Sequence, residues 1–393
     1  MSDSVVITGM ARTPMGGMQG SLSDVACPTL GGDSIKASLE RSGVSPERID
    51  ETIMGCVLPA GLGQAPARQA SLNAGIPDST GCVTINKMCG SGMKAVMMGH
   101  DAIAAGSANL IVAGGMESMT NAPYILPKVR GGMRLGHGEV LDHMFIDGLE
   151  DAYEKGRLMG TYAEDTSKHY GFTREAQDEF AIESLKRAQR AIEKGEFKRE
   201  ISPVSFETRQ GPVEVDTDEQ PGNAKLDKIP QLRPAFAKDG TVTAANSSSI
   251  SDGAAAMVLS GEKFAKENNL TINARIIGHS NHAHEPRWFT TAPVSAVQKL
   301  MDKLNWSVDD VDLFEVNEAF ACVAMAAMHD LKIPHEKLNI RGGACALGHP
   351  VGASGARIIV TLVHALQDHG LKRGVASLCI GGGEATAVGI ELV

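Results

Sequence analysis

The feature that most constrains the fold is a strand–helix pattern that occurs twice in the 393-residue chain. Residues 34–54 read SIKASLERSGVSPERIDETIM, a helix-like segment followed by an acidic turn and an apolar strand. Residues 295–314 read SAVQKLMDKLNWSVDDVDLF, in the same order. Helices that alternate with continuously apolar strands are typical of a sheet covered by helices on both faces. We therefore predict an α/β protein built from two duplicated halves.

A second pair of segments supports the duplication. CGSGMKAV and LIVAGGMES in the first half correspond to GHPVGASGARIIV and ASLCIGGGEA in the second half. Two related halves that pack around a pseudo-twofold axis bring equivalent strand ends together. We expect residues from both halves to meet at one site.

The segment between the halves differs in character, because it is richer in charge and proline. It contains two helical patterns, at 162–169 and 174–194, and a loop-like stretch at 214–230. We predict an N-terminal half over 1–119, completed by 250–268, an inserted loop domain over 120–249, and a C-terminal half over 269–393. Loops on a rigid scaffold often carry substrate contacts, so we assign ligand binding to the insertion.

Composition excludes several classes of partner. The net charge of −10 argues against a nucleic-acid or anionic-membrane surface, and no apolar run reaches the ~20 residues that span a bilayer. The seven cysteines form no C-x-x-C pair, and the N-terminus has no signal-peptide layout. We expect reduced thiols and a cytoplasmic location.

Cys89 lies where an apolar run gives way to a helical pattern, in NKMCGSGMKA. A thiol at a helix N-terminus is favoured as the nucleophilic thiolate, and we expect Gly90 and Gly92 to let a ligand approach the backbone. Two alternatives stay open at this point. Cys89 is equally explained as a buried structural cysteine, and G-x-G-x-x-A from Gly90 also fits a weak dinucleotide-binding pattern.

Three further junctions between segments carry reactive or polar groups. His349 precedes Pro350 in a glycine-rich segment, which places it on a turn before the next helix. A neutral imidazole beside a thiol can take its proton. Cys379 ends an apolar strand before Gly381, where free N–H groups suit an oxyanion hole. Asn317 lies between a strand and a helix, where it is interpreted as a cap or as a group that orients a water.

Together these segments closely resemble the thiolase family over essentially the whole chain. The segments that carry the resemblance are NKMCGSGMKA, GGMESMTNAPY, LRPAF, TVTAANSSSISDGAAA, NEAFA, GGACALGHPVGASGAR and CIGGGEA. The resemblance implies a five-layered α-β-α-β-α fold and a ping-pong reaction between coenzyme A thioesters.

The resemblance also implies catalytic roles. Cys89 corresponds to the acyl-accepting nucleophile, and His349 would deprotonate it. Cys379 would remove an α-proton from the second acetyl-CoA. One oxyanion hole would use His349 and a water held by Asn317, and the other the N–H groups of Cys89 and Gly381.

Substrate contacts follow from the same resemblance. Ser248 corresponds to the serine that contacts the pantetheine arm, and Leu149 and Met159 correspond to residues of the substrate tunnel. Further predicted substrate contacts are Phe289, Ala319 and Phe320. The basic residues Lys128, Arg130 and Arg134 lie where many members carry a tetramerisation loop, so we expect a dimer or a homotetramer.

Some positions depart from the pattern of short-chain biosynthetic members. Leu158 precedes Met159 where those members have histidine, F-T-T-A-P from Phe289 replaces M-G-x-G-P, and Arg341 replaces an asparagine. These departures concern acyl chain length rather than the reaction itself.

We predict an acetyl-CoA C-acetyltransferase that interconverts two acetyl-CoA with acetoacetyl-CoA and coenzyme A. The alternatives are a 3-ketoacyl-CoA thiolase for longer chains, a ketoacyl synthase, a nucleotide-binding oxidoreductase and a metal-binding protein. The last rests on HSNHAH, with histidines at 279, 282 and 284, for which the sequence indicates no carboxylate or cysteine partner. We predict no metal and no cofactor, and leave dependence on potassium open.

Overall fold

Ten strands form one mixed sheet in the computed structural model, which describes residues 4–393. In chain order the strands of the protein are β1 (Val5–Arg12), β2 (Gly16–Gly17), β3 (Glu51–Gly55), β4 (Gly81–Ile85), β5 (Leu110–Ser118), β6 (Tyr124–Ile125), β7 (Leu141–Asp142), β8 (Val204–Thr208), β9 (Gly211–Val215), β10 (Ser251–Gly261), β11 (Ala274–Ala283), β12 (Leu313–Val316), β13 (Arg373–Ile380) and β14 (Glu384–Glu391). The pairs β6–β7 and β8–β9 stand apart from the large sheet as two small hairpins.

The α-helices account for the layers on the sheet. They are α1 (Cys27–Ser42), α2 (Pro66–Asn73), α3 (Ser91–Ala104), α4 (Met159–Tyr170), α5 (Arg174–Glu193), α6 (Glu219–Asn223), α7 (Glu262–Glu267), α8 (Ala292–Leu304), α9 (Ala321–Leu331), α10 (Ala344–Leu347) and α11 (Ser354–His369). Across residues 4–393, no helix has both the length and the apolar character required to cross a bilayer.

The sheet has the same strand pairing in its two parts. The first part runs in the order β4-β3-β5-β10-β1, and the second in the order β12-β13-β14-β11. β3 pairs with β5 in parallel and β5 with β10 antiparallel, as β12 does with β13 and β13 with β14. Three residue pairs between β1 and β11 join the two parts. The repeated sequence segments therefore occupy corresponding places, and we retain the predicted domain boundaries as a proposal.

α3 and α11 form the middle layer. α3 contacts β3 and β5 of the first part and β14 of the second, while α11 contacts β12 and β13 as well as β10. Every residue of α11 from 354 to 366 is buried, as expected for a helix covered on all sides. α1 and α2 pack outside the first part, and α8 and α9 outside the second, which gives five layers.

The predicted loop at 214–230 is wrong in part. It contains α6 and a 3₁₀ helix, Leu226–Gln231, with a proline inside each. This segment is stabilised by contacts with residues distant in sequence, and local composition does not reveal such contacts. The Glu219 carboxylate accepts hydrogen bonds from the N–H groups of Gly17 (2.8 Å) and Ser21 (2.9 Å).

A buried ion-pair cluster ties the inserted segment to β1. Arg12 is fully buried, and its Nε donates to Glu200 Oε1 at 2.6 Å. Its Nη1 and Nη2 donate to the two carboxylate oxygens of Asp218 at 2.7 and 2.8 Å. Bidentate geometry of this kind offsets much of the cost of burying the charges.

Replacing Arg12 with alanine therefore removes the hydrogen-bonded cation from two buried carboxylates, of which only Glu200 has a second arginine, Arg341, within 4 Å among the described residues. We expect Arg12→Ala to lower the free energy of unfolding by about 3–5 kcal/mol, measured by urea denaturation and by the shift in Tm. Arg48→Ala is the matched control, because Arg48 is exposed, with a hydrogen bond to Asn268 and a contact over the Phe264 ring. Its expected cost is below about 1 kcal/mol. Equal losses for the two variants would contradict the prediction.

Candidate active site

Cys89 lies on a tight turn between β4 and α3. Met88, just before it, has φ of 46°, a left-handed conformation that costs about 1–2 kcal/mol for a residue with a side chain. Ser91 holds this turn, because its Oγ accepts from the Lys87 N–H (2.8 Å) and donates to the Met88 carbonyl (2.6 Å). The Asn86 side chain accepts from the Met88 N–H at 2.9 Å. The backbone around the thiol is thus fixed by its neighbours.

The expected role of Gly90 and Gly92 is wrong. A Cβ on Gly90 would lie 2.4 Å from the Ile380 side chain, and one on Gly92 would lie 2.9 Å from the Ala356 nitrogen. The two glycines therefore allow β13 and α11 to approach the turn, and not a ligand. The same crowding leaves no room at these glycines for a pyrophosphate, so the dinucleotide interpretation fails.

One cavity of about 380 Å³ collects most of the predicted site residues. Its wall includes Cys89, His349 and Gly381 together with every predicted substrate contact, namely Leu149, Met159, Ser248, Phe289, Ala319 and Phe320. Other wall residues, among them Met88, Leu158 and Phe236, are also apolar. An apolar cavity with a few polar groups at one end is the usual form of a small-molecule site.

His349 is held in a fixed orientation in the wall. Its Nδ1 lies 2.6 Å from Ser354 Oγ, and that hydroxyl lies 3.0 Å from the Pro350 carbonyl, to which it donates. This arrangement assigns the ring hydrogen to Nδ1 and leaves Nε2 as the acceptor. Burial, with a smaller contribution from Arg357, lowers the pKa of His349 to about 3. The imidazole is therefore neutral and able to accept a proton.

Asn317 does not cap a helix. α9 begins at Ala321 with Phe320 in the cap position and no side-chain cap. The Asn317 amide nitrogen lies instead 3.5 Å from His349 Nδ1. Among the described residues, neither Asn317 Oδ1 nor His349 Nε2 finds a hydrogen-bond partner, although both atoms are buried. Buried polar atoms of this kind mark a place for a bound polar group.

The electrostatics of Cys89 differ from the expectation of a stabilised thiolate. Burial raises the pKa of the Cys89 thiol to about 11, although the N–H groups of Gly381 and of Cys89 itself act in the opposite direction. The helix N-terminus is thus outweighed by desolvation. Cys89 rests as a neutral thiol, with two N–H donors aimed at its sulfur.

Cys379 lies behind the cavity wall. Its side chain is fully buried, and burial together with the neighbouring Cys89 raises the pKa of its thiol well above the ordinary value. A Cβ on Gly381, two residues later, would meet only Met159 Sδ at 3.7 Å and Met88 Cε at 4.0 Å. The backbone at Gly381 is therefore open to a ligand, as its predicted role requires.

Sequence reasoning missed the residues that support the site. Ser354 and Ser91 are short polar side chains near motif residues, and their spacing alone gave no signal. Glu117 is buried, and its carboxylate accepts from the N–H groups of Val57 (2.9 Å) and Gly352 (2.9 Å). Burial raises the pKa of Glu117 to about 7. The Glu117 carboxylate joins segments that are distant in sequence, and this relation is visible only in the folded chain.

Comparison with known proteins decides the family. Residues 5–263 match the model described as Thiolase, N-terminal domain, and residues 270–392 match Thiolase, C-terminal domain. The chain belongs to the thiolase family. It is 48% identical over 389 residues to an acetyl-CoA acetyltransferase of Cupriavidus necator, covering 98% of this chain and 99% of that one.

Solved thiolase structures confirm the predicted fold class. The acetyl-CoA acetyltransferase of Bacillus anthracis superposes with a TM-score of 0.97 at 40% identity, covering 100% of this chain and 99% of the other. Acat5 thiolase from Ascaris suum, in complex with coenzyme A, has a TM-score of 0.94 at 43% identity, covering 99% and 100%.

The raised pKa of Cys89 in this thiolase predicts how the free enzyme reacts with alkylating agents. Below a pKa of about 11 the thiolate fraction rises about tenfold per pH unit. Alkylation of Cys89 by iodoacetamide should therefore accelerate about tenfold per unit from pH 7 to 9, followed by peptide mass spectrometry. A rate that is flat across this range would instead indicate a preformed thiolate–imidazolium pair. Cys89→Ser controls for labelling of other cysteines.

Proposed function

We propose that this thiolase is an acetyl-CoA C-acetyltransferase, which interconverts two acetyl-CoA with acetoacetyl-CoA and coenzyme A. The observation that carries the proposal is the placement of Cys89, the N–H of Gly381 and His349 in one apolar cavity. A nucleophile, a base and oxyanion donors around one cavity are the requirements of acyl transfer. The names of the relatives support the acetyl-specific form over the long-chain form.

In the first half-reaction Cys89 attacks the thioester of acetyl-CoA. Nε2 of His349 takes the thiol proton, and the N–H groups of Cys89 and Gly381 stabilise the oxyanion. The C–S bond to coenzyme A breaks, and Cys379 protonates the departing thiolate. Acetyl-Cys89, an imidazolium at His349 and a thiolate at Cys379 remain.

In the second half-reaction the Cys379 thiolate removes an α-proton from a new acetyl-CoA. His349 and a water held by Asn317 stabilise the enolate oxygen, consistent with the two unpaired buried atoms found there. The enolate carbon attacks acetyl-Cys89, and acetoacetyl-CoA forms. The Cys89 thiolate leaves and recovers its proton from His349, so atoms and charges balance and the resting enzyme returns.

The positions that depart from the short-chain biosynthetic members differ in whether they line the cavity. Arg341 is fully buried among Glu196 (3.4 Å), Glu200 (3.7 Å) and Asp368, outside the cavity wall, so its role is structural. Phe289 and Leu158 do line the cavity. Phe289 is 97% buried and packs edge-on against Phe320, at 6.5 Å between ring centroids. We assign it as the wall that limits acyl length.

Thiolysis of 3-ketoacyl-CoA substrates, from four to about ten carbons, tests this function. We expect kcat/KM for acetoacetyl-CoA to exceed that for the six-carbon substrate by at least about tenfold. Phe289→Ala should narrow this ratio about tenfold, since it frees the space of a ring. Phe172→Ala, at a ring outside the cavity wall, is the matched control.

Three other results are informative. Equal or better thiolysis of long chains by the wild type would move the assignment to the 3-ketoacyl-CoA thiolases. Failure on every substrate would overturn thiolase activity in this chain. Cys89→Ala should form no acetyl-enzyme with labelled acetyl-CoA, and a stable acetylated Cys89→Ala protein would overturn the nucleophile assignment.

A second cavity of about 310 Å³ supports the proposed coenzyme A site. It shares Ala244 and Ser249 with the first cavity, and its wall carries Lys225 and Lys228 from the inserted segment. The thioester end of coenzyme A fits the apolar first cavity, and the other end is a polyanionic nucleotide. We assign the nucleotide phosphates to these lysines, with Asp227, 3.8 Å from Lys228, opposing them.

Removing one lysine should weaken binding without affecting the chemical step. We expect Lys228→Gln to raise KM for acetyl-CoA about fivefold at unchanged kcat, the effect of about 1 kcal/mol from an exposed ion pair. The KM for S-acetylpantetheine, which lacks the nucleotide, should not change. Lys238→Gln, an exposed lysine outside both cavity walls, is the control. An increase in KM for both substrates would show that Lys228 does not act on the nucleotide phosphates.

Oligomer and location also belong to the proposal. The hairpin that carries Lys128, Arg130 and Arg134 also exposes apolar side chains, namely Leu126, Val129, Met133, Leu135 and Val140. Such a patch is typical of an interface between subunits, which supports the homotetramer. Seven free cysteines support the cytoplasm.

A further inference from the structure

Two histidines and an aspartate meet where the end of α3 lies beside β11, far along α3 from Cys89. His100 and Asp101 come from α3, and His279 is the first histidine of HSNHAH on β11. His279 Nε2 lies 2.8 Å from Asp101 Oδ1, and His100 Nδ1 lies 3.0 Å from the same oxygen. The three ligand atoms all lie within 4.8 Å of one another.

These separations fit a shared metal ion. Imidazole nitrogen and carboxylate oxygen bind Zn²⁺ at about 2.0–2.2 Å. At tetrahedral or octahedral angles, two such ligand atoms lie about 3 Å apart. The distance from each histidine nitrogen to the Asp101 oxygen agrees with this value. The two rings are nearly perpendicular, at 89°, with centroids 5.0 Å apart. They are therefore not stacked, and each directs one nitrogen towards the same point.

Burial and charge at the cluster favour a cation with part of its shell in water. The side chains of His100 and His279 are 19% and 13% exposed, whereas Asp101 is 57% exposed. Lys303, whose Nζ lies 3.3 Å from the His279 carbonyl, opposes a cation, and the Asp101 carboxylate offsets it.

The other histidines of HSNHAH do not join the cluster. His282 Nδ1 lies 2.9 Å from Lys299 Nζ, and its ring packs edge-on against His284. His284 Nε2 donates to the Trp288 carbonyl at 2.7 Å. The alternative of a metal site made by the three histidines of HSNHAH is therefore wrong. The carboxylate partner that it lacked comes from α3, 178 positions away.

We propose that His100, Asp101 and His279 form a binding site for one divalent first-row metal ion, of which Zn²⁺ is the test ion. Three protein ligands and water complete the coordination. The ion joins α3, which begins beside Cys89, to β11 in the second part of the sheet. It acts as a clamp between the two parts, outside the chemistry of acyl transfer.

Zinc titration of chelator-treated protein against a chromogenic chelator tests the site. We expect the wild type to bind one Zn²⁺ that His279→Gln and Asp101→Asn bind at least about tenfold more weakly. His282→Gln is the matched control, because it removes a histidine of the same motif outside the cluster, and it should bind as the wild type does. Zinc should raise the Tm of wild type and His282→Gln but not of His279→Gln.

Cobalt separates this site from the thiols. Co²⁺ bound here should show d–d absorption without the intense thiolate charge-transfer band, and anomalous scattering from soaked crystals should place it between His100 and His279. Equal zinc affinity in wild type and His279→Gln, or a thiolate band that accounts for all bound cobalt, would overturn the proposal. Absence of binding by the wild type would overturn it as well.

Discussion

The close contact between α3 and α11 is the constraint on which the site depends. The two helices lie between the two parts of the sheet, and glycines set their separation. A Cβ on Gly355 would lie 2.4 Å from the Met93 nitrogen, and one on Gly92 would lie 2.9 Å from the Ala356 nitrogen. Because Cys89 precedes α3 and His349 precedes α11, this contact brings nucleophile and base to the wall of one cavity. A methyl group at these glycines would separate the two halves of the catalytic machinery.

Burial then fixes the charge state of the resting enzyme. The same dry packing raises the pKa of Cys89 to about 11 and lowers that of His349 to about 3. Both groups are neutral before substrate enters. The thiol proton of Cys89 moves to His349 only when a thioester carbonyl is present for the sulfur to attack. Ser354 keeps the imidazole in the required tautomer throughout. A site of this kind is protected from alkylation and oxidation at rest, since the thiolate is the reactive form.

The sequence predicted helices well where the helical pattern was long, as in α5, expected over 174–194 and found over Arg174–Glu193, and the thiolase motifs identified the cavity residues. It did not predict relations between distant segments. Gly90 and Gly92 looked like ligand-approach glycines because β13 and α11, which they accommodate, lie over 250 positions away. Asn317 looked like a cap because the actual start of α9, four residues later, depends on packing. Asp101 could not be paired with His279 for the same reason: local pattern carries no information on which helix end faces which strand.

The order of strands in the first part of the sheet has a bearing on how the chain is made. β10 (Ser251–Gly261) lies between β1 and β5, so the strand that joins them arrives about 130 residues after β5 and after the whole inserted segment. Until the ribosome has released residue 261, β1 and β5 each present an unpaired apolar edge. The nascent chain therefore spends the synthesis of the inserted segment with its sheet open, the interval in which its unpaired edges are most exposed to aggregation.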